Sequence, residues 1–184
     1  MSSVRQKVAL QFIVSNLALV ANFVLTIVLA RLLSPQDIGI FSMSAVLMAV
    51  AHVFRDFGVT SFIKREKELT PDSLSSALGV LLITSWSVAA LMFLSAPYWA
   101  HFFHEARVVP VVQVLALGFV FIPFGAIPMA IISREMDVKK SATIGAVATV
   151  VYFGASVGLA LAGFGPMTMA WANLINIIVT GAMA

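Results

Sequence analysis

Residues 108–132 read VVPVVQVLALGFVFIPFGAIPMAII, a run without one charged side chain. A helix needs roughly 20 apolar residues to cross the hydrocarbon core of a bilayer, and this run is long enough. Five more apolar runs surround it, at about 8–32, 38–62, 73–97, 141–162 and 167–184. Short polar segments divide them. Ser34-Pro35-Gln36-Asp37 reads as a helix stop followed by a new cap, and Thr70-Pro71-Asp72 reads as a second cap. Lys64–Glu68 and Arg134–Lys140 are charged loops, Tyr98–Arg107 is a mixed aromatic and polar segment, and Gly163-Phe164-Gly165-Pro166 is a turn. Pro110 suits the first turn of its helix, whereas Pro123 and Pro128 lie deep inside and should bend it. Hydrophobic residues make up 61% of the 184, with a mean hydropathy of +1.04, too much to hide inside a water-soluble domain of this length. Backbone polar groups in lipid must be satisfied within their own segment, which favours helices. The expected fold is all-α: a polytopic membrane protein of six transmembrane helices in one bundle.

Only 10% of residues are charged, and the net charge of +3 belongs to loops flanking membrane segments rather than to a nucleic-acid surface. With the N-terminus inside, Arg5, Lys7, Lys64, Arg65, Lys67, Arg134, Lys139 and Lys140 fall on the inner side and only Arg31 and Arg107 on the outer. Basic residues in short loops favour the cytoplasm, so both termini are expected there. Tyr98, Trp99, Phe102 and Phe103 then lie at the outer interface. The first apolar run is too long for the core of a signal peptide and reads as an uncleaved first helix. The chain has no cysteine, hence no disulfide or thiolate metal site. It has no P-loop, no Gly-x-Ser-x-Gly and no His-Glu-x-x-His motif, so neither an enzyme nor a cofactor is expected. His101, His104 and Glu105 have metal-compatible spacing, but without a further ligand they read as an interfacial loop.

Polar residues inside the apolar runs are the candidate site. Gln11, Ser15, Asn22 and Thr26 fall within one narrow arc of the first helix. The stripe reads either as the wall of a hydrophilic path or as interhelical hydrogen bonding, worth about 0.6 kcal/mol per contact. Asn173, Asn176 and Thr180 form a similar stripe in the sixth helix, with the same two readings. In the second helix Ser44, His52 and Arg55 share a face, with Asp56 beside them. Arg55 could meet an anionic headgroup or diphosphate with Asp56 holding it, or could snorkel to nearby water. His52 reads as a proton relay or, more commonly, as a packed histidine. Gly154 and Gly158 form a small-xxx-small pair, expected to bring two helices close.

Ala30-Arg31-Leu32-Leu33-Ser34-Pro35-Gln36-Asp37-Ile38-Gly39-Ile40-Phe41 resembles the "aRlLsPedfGlf" segment of the polysaccharide transporter family, within the superfamily of multidrug and oligosaccharidyl-lipid exporters. Asp56-Phe57-Gly58-Val59 resembles its "DlGl", Lys64–Thr70 its basic loop, Ser133-Arg134-Glu135-Met136 its "qRel", and Gly163-Phe164-Gly165 its "GfG" turn. The resemblance implies flipping of lipid-linked oligosaccharide, such as polyprenyl-diphosphate-linked glycan, across the bacterial inner membrane. It also implies two six-helix lobes around a cationic cavity. Arg31, Arg55, Asp56 and Arg134 lie in or beside the matched motifs. With Asn22, His52, Asn173 and Asn176 they make up the expected substrate path.

The chain departs from the family in supplying only the first lobe, residues 1–184, and in reading Pro166-Met167-Thr168-Met169-Ala170-Trp171 where "vWaLv" often follows. No basic flank follows Asn176–Ala184. The expectation is therefore a truncated chain whose missing lobe would be a further segment, a second copy or another protein. The alternatives are a non-transporting partner of the polysaccharide assembly machinery and a non-functional remnant.

Overall fold

The computed structural model describes the backbone of residues 4–56, 71–135 and 137–184, with side chains from 12–55, 74–135 and 137–184. Among these it forms six helices and no strand: α1 Val4–Leu32, α2 Pro35–Asp56, α3 Pro71–Phe103, α4 Val108–Arg134, α5 Val138–Leu161 and α6 Met167–Met183. α1 to α5 are long and apolar enough to cross a membrane, and α6 is a shorter apolar helix of 17 residues. The chain is an all-α, multi-pass membrane protein. The charged loop Lys64–Glu68 and the segment Phe57–Val59 lie outside the described residues.

α1 and α2 begin at Val4 and Pro35, three or four residues earlier than expected, and two further helix ends differ for reasons the structure shows. Pro97 does not stop α3, which runs on to Phe103. Proline withholds one backbone hydrogen bond, but a neighbouring helix can shelter the freed carbonyl in a membrane bundle. The stop comes at His104, which adopts φ +54°. The His104 and Glu105 amides donate to the His101 and Ala100 carbonyls, the paired bonds that close a helix over a left-handed residue. Tyr98, Trp99, Phe102 and Phe103 thus occupy the final turns of α3. α5 begins at Val138, earlier than expected, because the Asp137 carboxylate accepts the Lys140 amide and caps the helix there.

α4 is the hub. Half of its apolar span is buried, against 11–28% for the other four long helices, and it packs against α2, α3, α5 and α6. Its Val108, Val111, Val112, Leu115 and Phe119 are essentially inaccessible. They pack in one cluster with Ala89, Ala96 and Ala100 of α3, Ile40 and Ala51 of α2, and Ala170 and Leu174 of α6. Lipid tails are as apolar as leucine, so helices associate through close packing rather than hydrophobic gain. The alanines on α3 permit that approach.

The closest approach at a described glycine joins α4 to α6. A Cβ on Gly125 would stand 2.7 Å from the Gly181 Cα, and one on Gly118 would stand 2.9 Å from the Ile177 Cδ1. At Gly154 and Gly158, where close packing was expected, a Cβ would meet nothing within 4 Å. These two glycines face away from any described helix, so the spacing alone misassigned the contact.

α1 is peripheral. It packs mainly on α5, and its contact with α2 is concentrated at the turn that joins them. Leu25, Leu29 and Leu33 gather there with Met169 and Ala160, alongside Ile38 and Phe41. The opposite side of α1 carries Phe12, Leu17, Leu19, Val20 and Phe23, each at least 60% exposed. In a bilayer this is the lipid-facing surface.

Gly125→Val should force α4 and α6 apart, costing about 1–3 kcal/mol for overpacking, and should lower the thermal midpoint of the detergent-solubilised chain. Gly154→Ala and Gly158→Ala should leave it unchanged or slightly raised, since alanine is the better helix former.

Candidate functional site

A polar groove opens between α1, α5 and α6. Asn22, Thr149, Tyr152, Phe153, Asn173 and Asn176 line it, around a volume of about 260 Å³. Asn22 lies ten residues before the end of α1, and Asn176 nine residues after the start of α6. At 1.5 Å per residue both are about 15 Å from the end of the bundle that carries Ser34. That is close to the middle of a hydrocarbon core about 30 Å thick.

Much of the lining's hydrogen-bonding capacity is spent within its own helices. The Asn22 Nδ2 donates to the Ala18 carbonyl at 2.8 Å, and the Thr149 hydroxyl to the Gly145 carbonyl at 2.8 Å. The Thr26 hydroxyl donates to the Asn22 carbonyl at 2.9 Å, one turn beyond the groove. The Asn176 Oδ1 is enclosed and accepts no hydrogen bond. A buried acceptor left unpaired costs about 1–3 kcal/mol, so it marks a place where an occupant would be favoured.

The structure brings together three of the sequence-derived candidates, Asn22, Asn173 and Asn176, and leaves the others apart. Arg31 is exposed in the last turn of α1, at the Ser34 end. Arg55 is half-buried in the last turn of α2, and Arg134 in the last turn of α4, both at the opposite end. Asp56 is the final residue of α2, and its side chain lies outside the described residues. His52 packs its ring against Phe119 of α4, centroids 4.8 Å apart. Among the described residues, no charged side chain lines the groove. The contribution of α5 escaped the sequence reading, although Gly145, Thr149, Tyr152 and Ser156 recur at spacings of four, three and four. That run of small and polar positions was the available signal.

A larger furrow of about 470 Å³ between α3 and α4 is lined by Trp86, Phe93, Leu94, Leu117 and Val120. Its lining is apolar apart from the Trp86 indole nitrogen, which donates to the Val120 carbonyl at 3.4 Å. It suits lipid rather than a polar cargo.

Three loops meet at the Ser34 end. The Asp37 amide donates to the Ser34 Oγ at 3.1 Å, and the Ser34 hydroxyl to the Asp37 carboxylate at 2.7 Å, capping α2. The other Asp37 oxygen faces Arg107, 3.4 Å away, and lies 3.6 Å from where a Cβ on Gly165 would stand. Arg107 also grips Glu105, through Nε at 3.1 Å and Nη2 at 3.2 Å. Gln36 adds a hydrogen bond to Glu105 at 3.4 Å. The Arg107 guanidinium holds the Glu105 carboxyl below its usual 4.5. Glu105 is thereby committed to Arg107. Among the described residues, no three His, Asp or Glu side chains gather as a metal site would require.

Residues 28–184 match the family model described as "Polysaccharide biosynthesis protein". The matched range includes the Ser34–Asp37 cap and the α5 and α6 walls of the groove. The chain is 27% identical to the "Lipopolysaccharide biosynthesis protein WzxC" of Escherichia coli (strain K12) over 142 residues, 77% of this chain and 28% of the relative. It is 26% identical to an "Uncharacterized membrane protein in cps region" of Klebsiella pneumoniae over 130 residues, 65% of this chain and 24% of the relative. The chain thus spans about a quarter of the length of the curated relatives it matches. No solved structure is significantly similar to it.

Glu105→Gln should lower the thermal midpoint at neutral pH. A carboxyl with a depressed folded-state pKa contributes stability that is present above its unfolded value and lost as pH falls through the folded value. The difference between parent and variant should therefore shrink as a thermal titration is carried to pH values below 4.5.

Proposed function

This chain belongs to the polysaccharide biosynthesis protein family, and we propose that it forms one lobe of a transporter that flips lipid-linked oligosaccharide across a bacterial inner membrane. The observation that carries this reading is the polar groove halfway through an otherwise apolar bundle. A glycan crossing the membrane needs hydrogen-bonding groups at mid-depth, where the surrounding lipid offers none. Its polyprenyl tail needs only lipid, which the exposed apolar faces of the helices already meet. The work is translocation, without covalent chemistry by the protein.

The basic residues orient the lobe with both termini cytoplasmic. The Ser34 end is then periplasmic, and the loop cluster around Arg107 fastens it. α1 meets α2 chiefly at that end and otherwise packs on α5, which would leave the groove open toward the cytoplasmic half. Arg55 and Arg134 stand at the cytoplasmic helix ends, where a diphosphate held at the leaflet surface would meet them. Asp56 follows Arg55 and would orient it, and Arg31 would meet the headgroup on the far side. His52, packed on Phe119, would steady α2. A second lobe, from further sequence, a second copy or a polysaccharide assembly protein, would close the path.

In cells whose surface polysaccharide depends on this gene, Arg55→Ala should reduce export about tenfold or more. This corresponds to losing a charge-assisted hydrogen bond of about 1.5–3 kcal/mol. Membrane abundance of the variant should be unchanged, as read by immunoblot. Normal export at normal abundance would remove Arg55 from the path.

A further inference from the structure

We infer that the groove between α1, α5 and α6 is a subsite for a neutral, hydroxyl-bearing ring, the sugar portion of the cargo rather than its diphosphate. The inference rests on the reading of the chain as a carrier of lipid-linked glycan.

The first argument is the balance of donors and acceptors. The Asn176 Oδ1 is enclosed and accepts nothing. Asn22 gives one Nδ2 proton to the Ala18 carbonyl, and its oxygen makes no hydrogen bond within that helix turn. Thr149 spends its proton on the Gly145 carbonyl and likewise offers an oxygen. An occupant must bring donors to these atoms. An ionised diphosphate has acceptors only: it could take protons from the amide nitrogens but would leave these oxygens unpaired, oxygen against oxygen. A sugar hydroxyl donates to an amide oxygen and accepts from the amide nitrogens of Asn173 and Asn176 in the same plane of contact.

The second argument is charge. Among the described residues, no Lys, Arg, Asp or Glu lines the groove. A phosphate, an ammonium or a metal ion near mid-membrane would lose its hydration without a countercharge, at a cost of several kcal/mol. A neutral polyol carries no such penalty.

Shape and size agree. Tyr152 and Phe153 give the wall aromatic surface beside the amides, matching a ring with apolar faces and a polar rim. The volume of about 260 Å³ falls just short of the roughly 300–1,000 Å³ of sites for drug-sized ligands. It accommodates one sugar ring, so a longer glycan would pass ring by ring.

The test uses the full chain in lipid nanodiscs and two radiolabelled probes, polyprenyl diphosphate and the same lipid bearing one glucose. The glucose-bearing lipid should bind about tenfold tighter or better. Asn176→Leu and Asn22→Leu should each erase most of that gap while leaving the affinity for the bare diphosphate lipid unchanged. Should Asn176→Leu fail to assemble, the Asn22 variant supplies the same comparison. Equal binding of the two lipids by the unaltered chain would overturn the inference, as would a gap that survives both variants. Both results leave the carrier reading standing. Failure of the folded chain to bind either lipid would remove the carrier reading together with the inference.

Discussion

In hydrocarbon, a backbone amide or carbonyl that finds no partner in its own helix has no water to turn to. That constraint shapes the polar side chains as well as the backbone. Thr26, Ser42, Ser44, Thr84, Thr143 and Thr149 each return their hydroxyl proton to the carbonyl four residues earlier. Asn16 and Asn22 do the same with their amide nitrogens. Against this background the enclosed oxygens of Ser85, Ser156, Thr168 and Asn176 are exceptions, and of these four the Asn176 Oδ1 belongs to the lining of the groove. It lies where three helices meet around a space that nothing in the described chain fills. A membrane bundle tolerates such an acceptor best where something else arrives to pair with it.

The groove exists because of how the helices are hung on α4. The hub draws α2, α3 and α6 tightly around itself, using alanines on α3 and glycines on α4 and α6 for close approach. α5 packs chiefly on α6, and α1 on α5. The result is a curved row rather than a closed ring. α1 is tied back to α2 only near the Ser34 turn, where Leu33, Ile38 and Phe41 cluster and Asp37 meets Arg107 and Gly165. One end of the lobe is thereby fastened, and the space between α1 and α6 stays open at mid-depth.

Much of this was written in the sequence. Six apolar runs separated by polar turns announce a six-helix membrane protein, because the length of a span is fixed by the bilayer and not by tertiary context. The polar stripes of α1 and α6 were equally legible from helical periodicity. That Asn22 meets Asn173 and Asn176 was not, since periodicity gives the face of a helix and not the identity of its neighbour. The same limit explains the glycines. Gly154 and Gly158 have the favoured spacing yet face open space, whereas the tightest contact joins Gly125 to Gly181 on different helices. Pro97 misled through its local rule, which holds in water but is relaxed among packed membrane helices. The pairing of Arg107 with Asp37, 70 residues apart, had no local signal at all.

The central claim is that α1, α5 and α6 enclose a polar, water-reachable groove near the middle of the membrane. The chain contains no cysteine, so single cysteines can be placed without altering the background. The most direct measurement is labelling of Asn22→Cys, Asn173→Cys and Asn176→Cys by a small neutral, water-soluble thiol reagent in membrane vesicles open to both faces, beside Leu19→Cys and Phe23→Cys on the lipid-facing side of α1. Labelling of the first three with little or none of the last two is the predicted result. Protection of all five, or labelling of the lipid-facing pair alone, would contradict a water-reachable groove.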